Sequence, residues 1–231
     1  MNIYSKLKTM YKALAWATVE SVDAKQFRAA GHHVDVIPNS TLVPKNIIAE
    51  DFTRIQNLNN MISSNGKLVL KKYSCIGSQC IIIPGNHVPT VGVPQYLSKL
   101  HINDVSNDIV VEEDCWIGAG CVILSKARFG RGCVVGAGSL ITKPVPPYAV
   151  AVGSPLKIVG ARFTKDQIIE HERILYAPEE RYTKQEIDDL FDKYFKGLRT
   201  IGTSEMSDED RERLLEYKRQ IGMTDFSNLN E

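Results

Sequence analysis

Several things are scarce in this chain of 231 residues, and each scarcity excludes something. Cysteine occurs five times, an odd number, and never as a CxxC pair. That leaves neither an even disulfide framework nor a zinc ribbon, and it predicts free thiols in a reducing compartment, the cytoplasm. No apolar run approaches the ~20 residues of a membrane-spanning helix. The net charge is only +1, which excludes a nucleic-acid or other polyanion binder working by bulk charge. What is present is ordinary: 43% hydrophobic and 24% charged residues, enough to bury a core, over a length that suits one or two domains.

The charge is unevenly placed. Residues 1–163 hold 17 Lys and Arg against 10 Asp and Glu, whereas residues 164–231 hold 11 against 17. At the N-terminus, Lys6, Lys8 and Lys12 precede ALAWATV in the outline of a signal peptide. The stretch is short, however, and Glu20 follows without a small-x-small site. Ile3, Leu7, Met10 and Leu14 keep helical spacing, so an amphipathic helix is predicted instead. A second short helix is predicted from Asp23, with Gln26 completing a capping box and Gly31 ending it.

From Val111 the sequence counts in sixes. Val111, Ile117, Ile123, Phe129, Val135 and Ile141 are spaced by six without a break, and small residues or turn formers fill much of the interval. Leu70, Ile76 and Ile82 keep the same phase; Ile37, Val43, Ala49 and Ile55 keep a looser one. The count slips by three between Ile55 and Leu70, and an excursion interrupts it between Ile82 and Val111. Neither a helix nor a plain strand has this period. One inward aliphatic in every hexad suits a triangular parallel β-helix, three hexads closing one coil. The PVPP run at 144–147 should stop it, because proline cannot donate to a ladder.

The segments IGAGCV at 117–122, FGRGCV at 129–134, VGAGSLITKPVPPYAVAVGSPLKIV at 135–159 and GNH at 85–87 resemble the hexapeptide-repeat acyltransferases. They are most similar to the galactoside, maltose and polysaccharide O-acetyltransferases. The resemblance covers roughly residues 37–160. It implies a left-handed β-helix, a homotrimer with active sites between subunits, and acetyl-CoA as acyl donor with no metal required. The hand comes from the resemblance alone, since it contradicts the usual rule for parallel crossovers.

His87 matches the family's catalytic His. An imidazole titrating near neutral pH can take the acceptor's proton as it attacks the thioester. Asp104, Asp108 or a backbone carbonyl could fix its tautomer. His101 reads as a loop residue or a substrate contact, His32 and His33 as structural, and His171 as solvated. Ala119 and Ala137 match positions that contact the cofactor arm, and an amide near Ala119 is a candidate oxyanion donor. Thr142, Lys143 and Lys157 match coenzyme A contacts, the lysines having a physical reason in its phosphates. Trp116 is a candidate for packing on the cofactor arm or for a core or interface role. Asn57 matches an acceptor-binding Asn, while the acidic acceptor residue of the galactoside branch falls at Asn65 here. A further basic residue common in the family is replaced by Gly160, with Arg162 a candidate substitute. The cysteines read as buried small residues, Cys115 and Cys133 stacking. Five scattered His without a close liganding pair argue against zinc chemistry of the γ-carbonic anhydrase kind.

After residue 163 the period becomes helical. Thr164 with Gln167, Thr183 with Glu186 and Ser207 with Asp210 are capping boxes or close variants. Ile187, Leu190, Phe191, Tyr194 and Phe195 predict one apolar face, and Leu214, Leu215, Lys218 and Ile221 a third helix with Lys218 at its edge. The expected domains are a helical cap at 1–31, a β-helix at 32–163 with its excursion at 86–108, and a helical extension at 164–231. The expected activity is acetyl-CoA-dependent O-acetylation of a sugar hydroxyl in polysaccharide or lipopolysaccharide assembly, with direct transfer and His87 as base. The alternatives are an amino sugar or xenobiotic acceptor, an acyl-carrier-protein donor, or a non-catalytic β-helix scaffold.

Overall fold

The computed structural model describes residues 22–62 and 65–223. The predicted amphipathic helix at the N-terminus and the signal-like stretch lie outside them. The body is three parallel sheets visited in rotation. The first contains Ala29–Ala30, Ile47–Ala49, Leu68–Leu70, Ile109–Val111 and Arg128–Phe129. The second runs through Asp35–Val36, Arg54–Ile55, Cys75–Ile76, Trp116–Ile117, Val134–Val135 and Ala149–Val152. The third contains Asn60–Met61, Ile81–Ile82, Val122–Ile123 and Leu140–Ile141.

The register shows why six is the period. Val111 pairs with Phe129, Ile117 with Val135 and Ile123 with Ile141, so three hexads bring the chain back with aliphatic on aliphatic. Ala49, Ile55, Leu70, Ile76, Ile82, Val111 and all the later inward residues are buried. Each of the larger ones, Ala49 aside, contributes about 1.5–3 kcal/mol by leaving water. The strands of the body are very short and gain their order from this stacking. Between circuits each hexad turns through a left-handed residue, at Asp114, Gly120, Lys126, Gly132 and Gly138. Gly118 serves a different need: a Cβ there would come within 2.6 Å of the Ala137 nitrogen in the next circuit.

The irregularities are equally local. Ala49, Ile55 and Met61 still pair with Leu70, Ile76 and Ile82, so the slip in the count lies after Met61 and is absorbed before Leu68. Leu70, Ile76 and Ile82 pair with Val111, Ile117 and Ile123, so the whole excursion is spent within a single circuit. In the first circuit the predicted phase is one position late. Val36 pairs with Ile55 and Leu42 is buried, whereas Ile37 is exposed, because a shift of one reverses which face a side chain meets. The helix predicted from Asp23 is a single 3-10 turn, Ala24–Gln26. Asp23 accepts from the Lys25 amide and the capping box with Gln26 does not form. Ala29–Ala30 is already strand, paired with Ile48 and Ala49. After PVPP the circuit is shorter than three hexads, Val135 pairing with Ala151, and the chain reverses into the antiparallel strand Lys157–Ala161.

Four of the cysteines, Cys80, Cys115, Cys121 and Cys133, occupy positions filled elsewhere by small polar residues. Ser139 donates to the Gly136 carbonyl at 2.6 Å, and Cys80, two circuits earlier in the same column, makes the matching contact to Gly77. Cys115 and Cys133 stack with sulfurs 3.6 Å apart, and all five cysteines are free. Cys75 is only half-buried, unlike the other four.

Helix α1, Lys165–Leu175, and α2, Lys184–Leu190, begin with the predicted capping boxes, and α3, Asp208–Gln220, begins at the Ser207 cap. Ile187 and Phe195 bury the predicted apolar face, a π-turn over Phe191–Phe195 carrying it on. Lys218 is buried, against the expectation of an edge position. Helix α1 is tied to the body through Glu172, 1% exposed, which accepts from the Tyr148 hydroxyl at 2.5 Å and from Arg131 at 3.0 Å. His171, expected to be solvated, instead bonds Asp114 through Nε2 at 2.9 Å. Among the described residues no helix is long and apolar enough to cross a membrane.

Candidate functional site

The excursion leaves the third sheet after Ile82 and returns at Ile109. A short antiparallel bridge between Asn86 and Val105 pins its base. Inside it a 3-10 turn, Gln95–Leu100, ends at His101, which adopts a left-handed conformation with φ 53°. That turn carries Asp104 back beneath His87.

Asp104 is the centre of the arrangement. Its side chain is 4% exposed, while those of His87 and His101 are about half exposed, at 50% and 49%. His87 Nδ1 lies 3.0 Å from the Asp104 carboxylate and His101 Nδ1 2.8 Å from it. The two rings stack with centroids 5.3 Å apart. A carboxylate only accepts, so each Nδ1 carries the proton, and in the neutral ring each Nε2 keeps a lone pair. Partial desolvation acts to raise the Asp104 carboxyl, but the hydrogen bonds from His101 and His87 outweigh it and hold the carboxyl below its ordinary range. Of the three partners considered for His87, Asp104 is therefore the one present. Asp108 instead accepts from the Lys67 amide at 2.9 Å. The pairing of His87 with His101 also removes the argument that no two His lie close enough to share a ligand. The two stand far apart along an irregular segment, which left no periodic signal.

The other predicted residues sort onto two edges of the body. Asn57, Ala119 and Ala137 lie at the edge between the second and third sheets. Ser78 donates to Asn57 Oδ1 at 2.7 Å, and the Gly138 amide donates to the Ala119 carbonyl at 2.8 Å. Lys157 reaches the same edge, because it pairs with Val152, which packs against Gly136. Thr142 and Lys143 follow Leu140–Ile141 and lie at the other edge of the third sheet, where the excursion with His87 departs. Trp116 is exposed on the second sheet between Cys75 and Val134. Within one chain the third sheet separates His87 from Asn57, Ala119, Ala137 and Lys157.

Gly160 has a steric explanation. A Cβ there would come within 2.6 Å of the Arg199 carbonyl, in the strand Arg199–Thr200 that the extension adds to the sheet. Arg162, the candidate substitute, donates to Asp114 Oδ2 at 2.6 Å. His33 stacks on Phe52 at 5.3 Å, in keeping with a structural role.

Short stacked strands counted in sixes define the class, and comparison with known proteins bears it out. Residues 108–143 match the bacterial transferase hexapeptide, described as six repeats. Over 75 residues the chain is 36% identical to a chloramphenicol acetyltransferase of Klebsiella aerogenes, covering 32% of this chain and 36% of that protein. Over 50 residues it is 44% identical to a galactoside O-acetyltransferase of Lactococcus lactis, covering 22% and 24%. The chain thus spans about a third of the length of the curated relatives it matches first. Its fold is like that of a hexapeptide-repeat-containing acetyltransferase of Vibrio cholerae O1 biovar eltor solved with acetyl coenzyme A. The TM-score is 0.53 at 24% identity, over 63% of this chain and 81% of that one.

Proposed function

We propose that this chain is an acetyltransferase that uses acetyl-CoA and carries His87 as its general base. The observation that carries the reading is the His87–Asp104 contact. A nearly covered carboxylate holds Nδ1–H, so Nε2 is directed away from Asp104 with its lone pair available for an acceptor's proton. Asp104 is then a positioning residue. Transfer is direct: the acceptor oxygen attacks the thioester carbonyl, its proton passes to Nε2, and the thiol leaves as coenzyme A, reprotonated from His87. An amide near Ala119 is the proposed oxyanion donor. Trp116, Ala119, Ala137, Thr142, Lys143 and Lys157 are the proposed cofactor contacts, and Asn57 the acceptor contact.

The three-sheet body is read as a left-handed β-helix over residues 32–163, extended at its start by Ala29–Ala30, which belongs to its first sheet and shortens the expected N-terminal cap of 1–31, and followed by the extension, 164–231. The two edges argue for a homotrimer. With His87 on one side of the third sheet and Ala119, Ala137 and Lys157 on the other, a complete site needs an edge from a neighbour. Light scattering at about three times 25.8 kDa supports this, and a monomer at micromolar concentration overturns it. The acceptor we favour is a sugar hydroxyl of polysaccharide or lipopolysaccharide assembly, met in the cytoplasm. A second reading, a xenobiotic hydroxyl, draws on the similarity to chloramphenicol acetyltransferases. Both are tested by one experiment: acetyl-CoA with a panel of sugars, amino sugars and chloramphenicol, following free thiol. Release with a sugar hydroxyl supports the first reading, release with chloramphenicol alone the second, and no release with any acceptor overturns the enzyme.

A further inference from the structure

The excursion assembles a donor set that the catalytic reading uses only in part. His87, His101 and Asp104 each present one ligand atom, and the three atoms lie within 4.8 Å of one another. His101 has no part in the base mechanism, yet its Nδ1 is fixed on the same carboxylate as that of His87, at 2.8 Å. Two imidazoles and a carboxylate are the protein ligands of zinc sites that keep a fourth position open. Nitrogen donors also favour zinc and its transition-metal neighbours over magnesium or calcium. A tetrahedral ion bound at ~2.0–2.1 Å to each donor needs donors roughly 3.3–3.5 Å apart. The nitrogen–oxygen separations of 3.0 and 2.8 Å need to widen by roughly 0.3–0.7 Å, and donors up to 4.8 Å apart need to close by up to ~1.5 Å, movements open to two half-exposed rings on an irregular segment. Both rings are about half exposed, so an ion can enter and water can fill the fourth position without opening the fold.

We propose that His87, His101 and Asp104 bind one divalent ion of the zinc class, and that the metal-bound and catalytic states of His87 exclude each other. A neutral imidazole has one proton. When Nδ1–H is on Asp104, the Nε2 lone pair is available as a base. When Nδ1 ligates the ion, that proton moves through solvent to Nε2, which can then only donate. Two neutral rings and one carboxylate enter the complex, so no proton is lost overall and no oxidant is needed. The binding half stands on geometry alone; the inhibitory half rests on His87 being the base.

The test uses the tag-free full chain and cobalt(II) as the probe, since its visible absorption reports low-coordinate nitrogen and oxygen ligation. One equivalent per chain should bind. His101→Ala and Asp104→Asn should each weaken binding roughly 100-fold or more, the loss of a ligand exceeding that of an outer partner. Asp104→Asn keeps the side chain's size, and melting curves establish that both variants fold. Zinc should then suppress acetyl transfer by the wild type, a chelator should restore it, and His101→Ala should keep its transfer at the same zinc concentration. Absence of the cobalt spectrum, or unchanged affinity in both folded variants, overturns the site. Cobalt binding without zinc inhibition overturns the exclusion. A chain that binds cobalt but transfers acetyl to no acceptor leaves the metal site standing and removes the acetyltransferase reading.

Discussion

Between Ile109 and Ile123 each strand is bonded to a circuit above and a circuit below, and its inward residues are fully buried. Between residues 86 and 108 the chain is held by one short bridge, one 3-10 turn, the bonds converging on Asp104 and a few single side-chain bonds such as Ser106 to Asn65 and Asp108 to Lys67, while Val91, Tyr96 and Leu100 remain exposed. The body gains its order from repetition, each contact weak and copied many times. The excursion has a few polar contacts, none of them copied. Damage should therefore separate the two regions: substitutions in the body should cost folding, and those in the excursion should cost chemistry while leaving the melting temperature nearly unchanged.

The largest effect should follow from Gly118→Val. Its Cβ alone would overlap the backbone of Val135 and Ala137, so neighbouring circuits must part, and soluble folded protein should be lost. Recovery of a wild-type melting curve would mean that the stack yields more easily than its spacing implies. Next is His87→Ala, which should lower turnover by ~10²–10⁴-fold with little change in acetyl-CoA affinity or melting temperature. Near-normal turnover would remove His87 as base.

Asp104→Asn should cost less than His87→Ala but at least ~10-fold, as a ring whose tautomer is no longer fixed spends time in the wrong state. The pH profile identifies it as positioning. The Asp104 carboxyl lies below its ordinary range, so its contact with His87 is present above the unfolded value of ~3.9 and is lost only as pH falls through the lower folded value. Asp104 should add no step to the wild-type profile near neutral pH. A step that vanishes in Asp104→Asn would contradict this.

At the join between body and extension, Tyr148→Phe should cost about 1–3 kcal/mol by urea unfolding, since its hydroxyl donates to the buried Glu172 carboxylate. Burial first, and then Glu172, hold the Tyr148 phenol above its ordinary range. Its contribution is therefore full below the unfolded value of ~10 and falls as pH rises beyond it. The variant should lose stability less steeply in alkali than the wild type. The decline should persist in part, because burial also raises Tyr176 and raises Tyr182 to about 12. The smallest effect is expected from Lys143→Ala: a weakening of acetyl-CoA binding of up to about fivefold, larger at low salt. Equal thermal shifts by acetyl-CoA in variant and wild type would mean that Lys143 does not meet the phosphates.

Legibility in the sequence follows the same division. From Val111 to Ile141 the hexads were readable because each inward residue repeats the demand of its partner in the neighbouring circuit. The first circuit was misread by one position, since Ile37 and Val43 are as apolar as Val36 and Leu42 and only pairing with Ile55 and its neighbours distinguishes them. The excursion has no period, so the choice of Asp104 over Asp108 depended on a turn through His101 that sequence does not encode by spacing. The bond from His171 to Asp114 joins the middle of one helix to a corner of the body far back in the chain, and was illegible for the same reason. Gly160 was noticed as a departure, and its cause, the strand at Arg199–Thr200, was hidden in the tail.

The extra chain between Ile82 and Val111 leaves the pairing above and below it undisturbed. The corner that emits it is therefore a port: whatever length of chain goes out, the same partner receives it on return. Closing a longer loop costs only ~0.6 kcal/mol for each doubling. The segment that carries His87 can be exchanged, lengthened or grafted as a cassette, and a chimera carrying another excursion at Pro84–Asp108 should still stack in register from Ile109 onward.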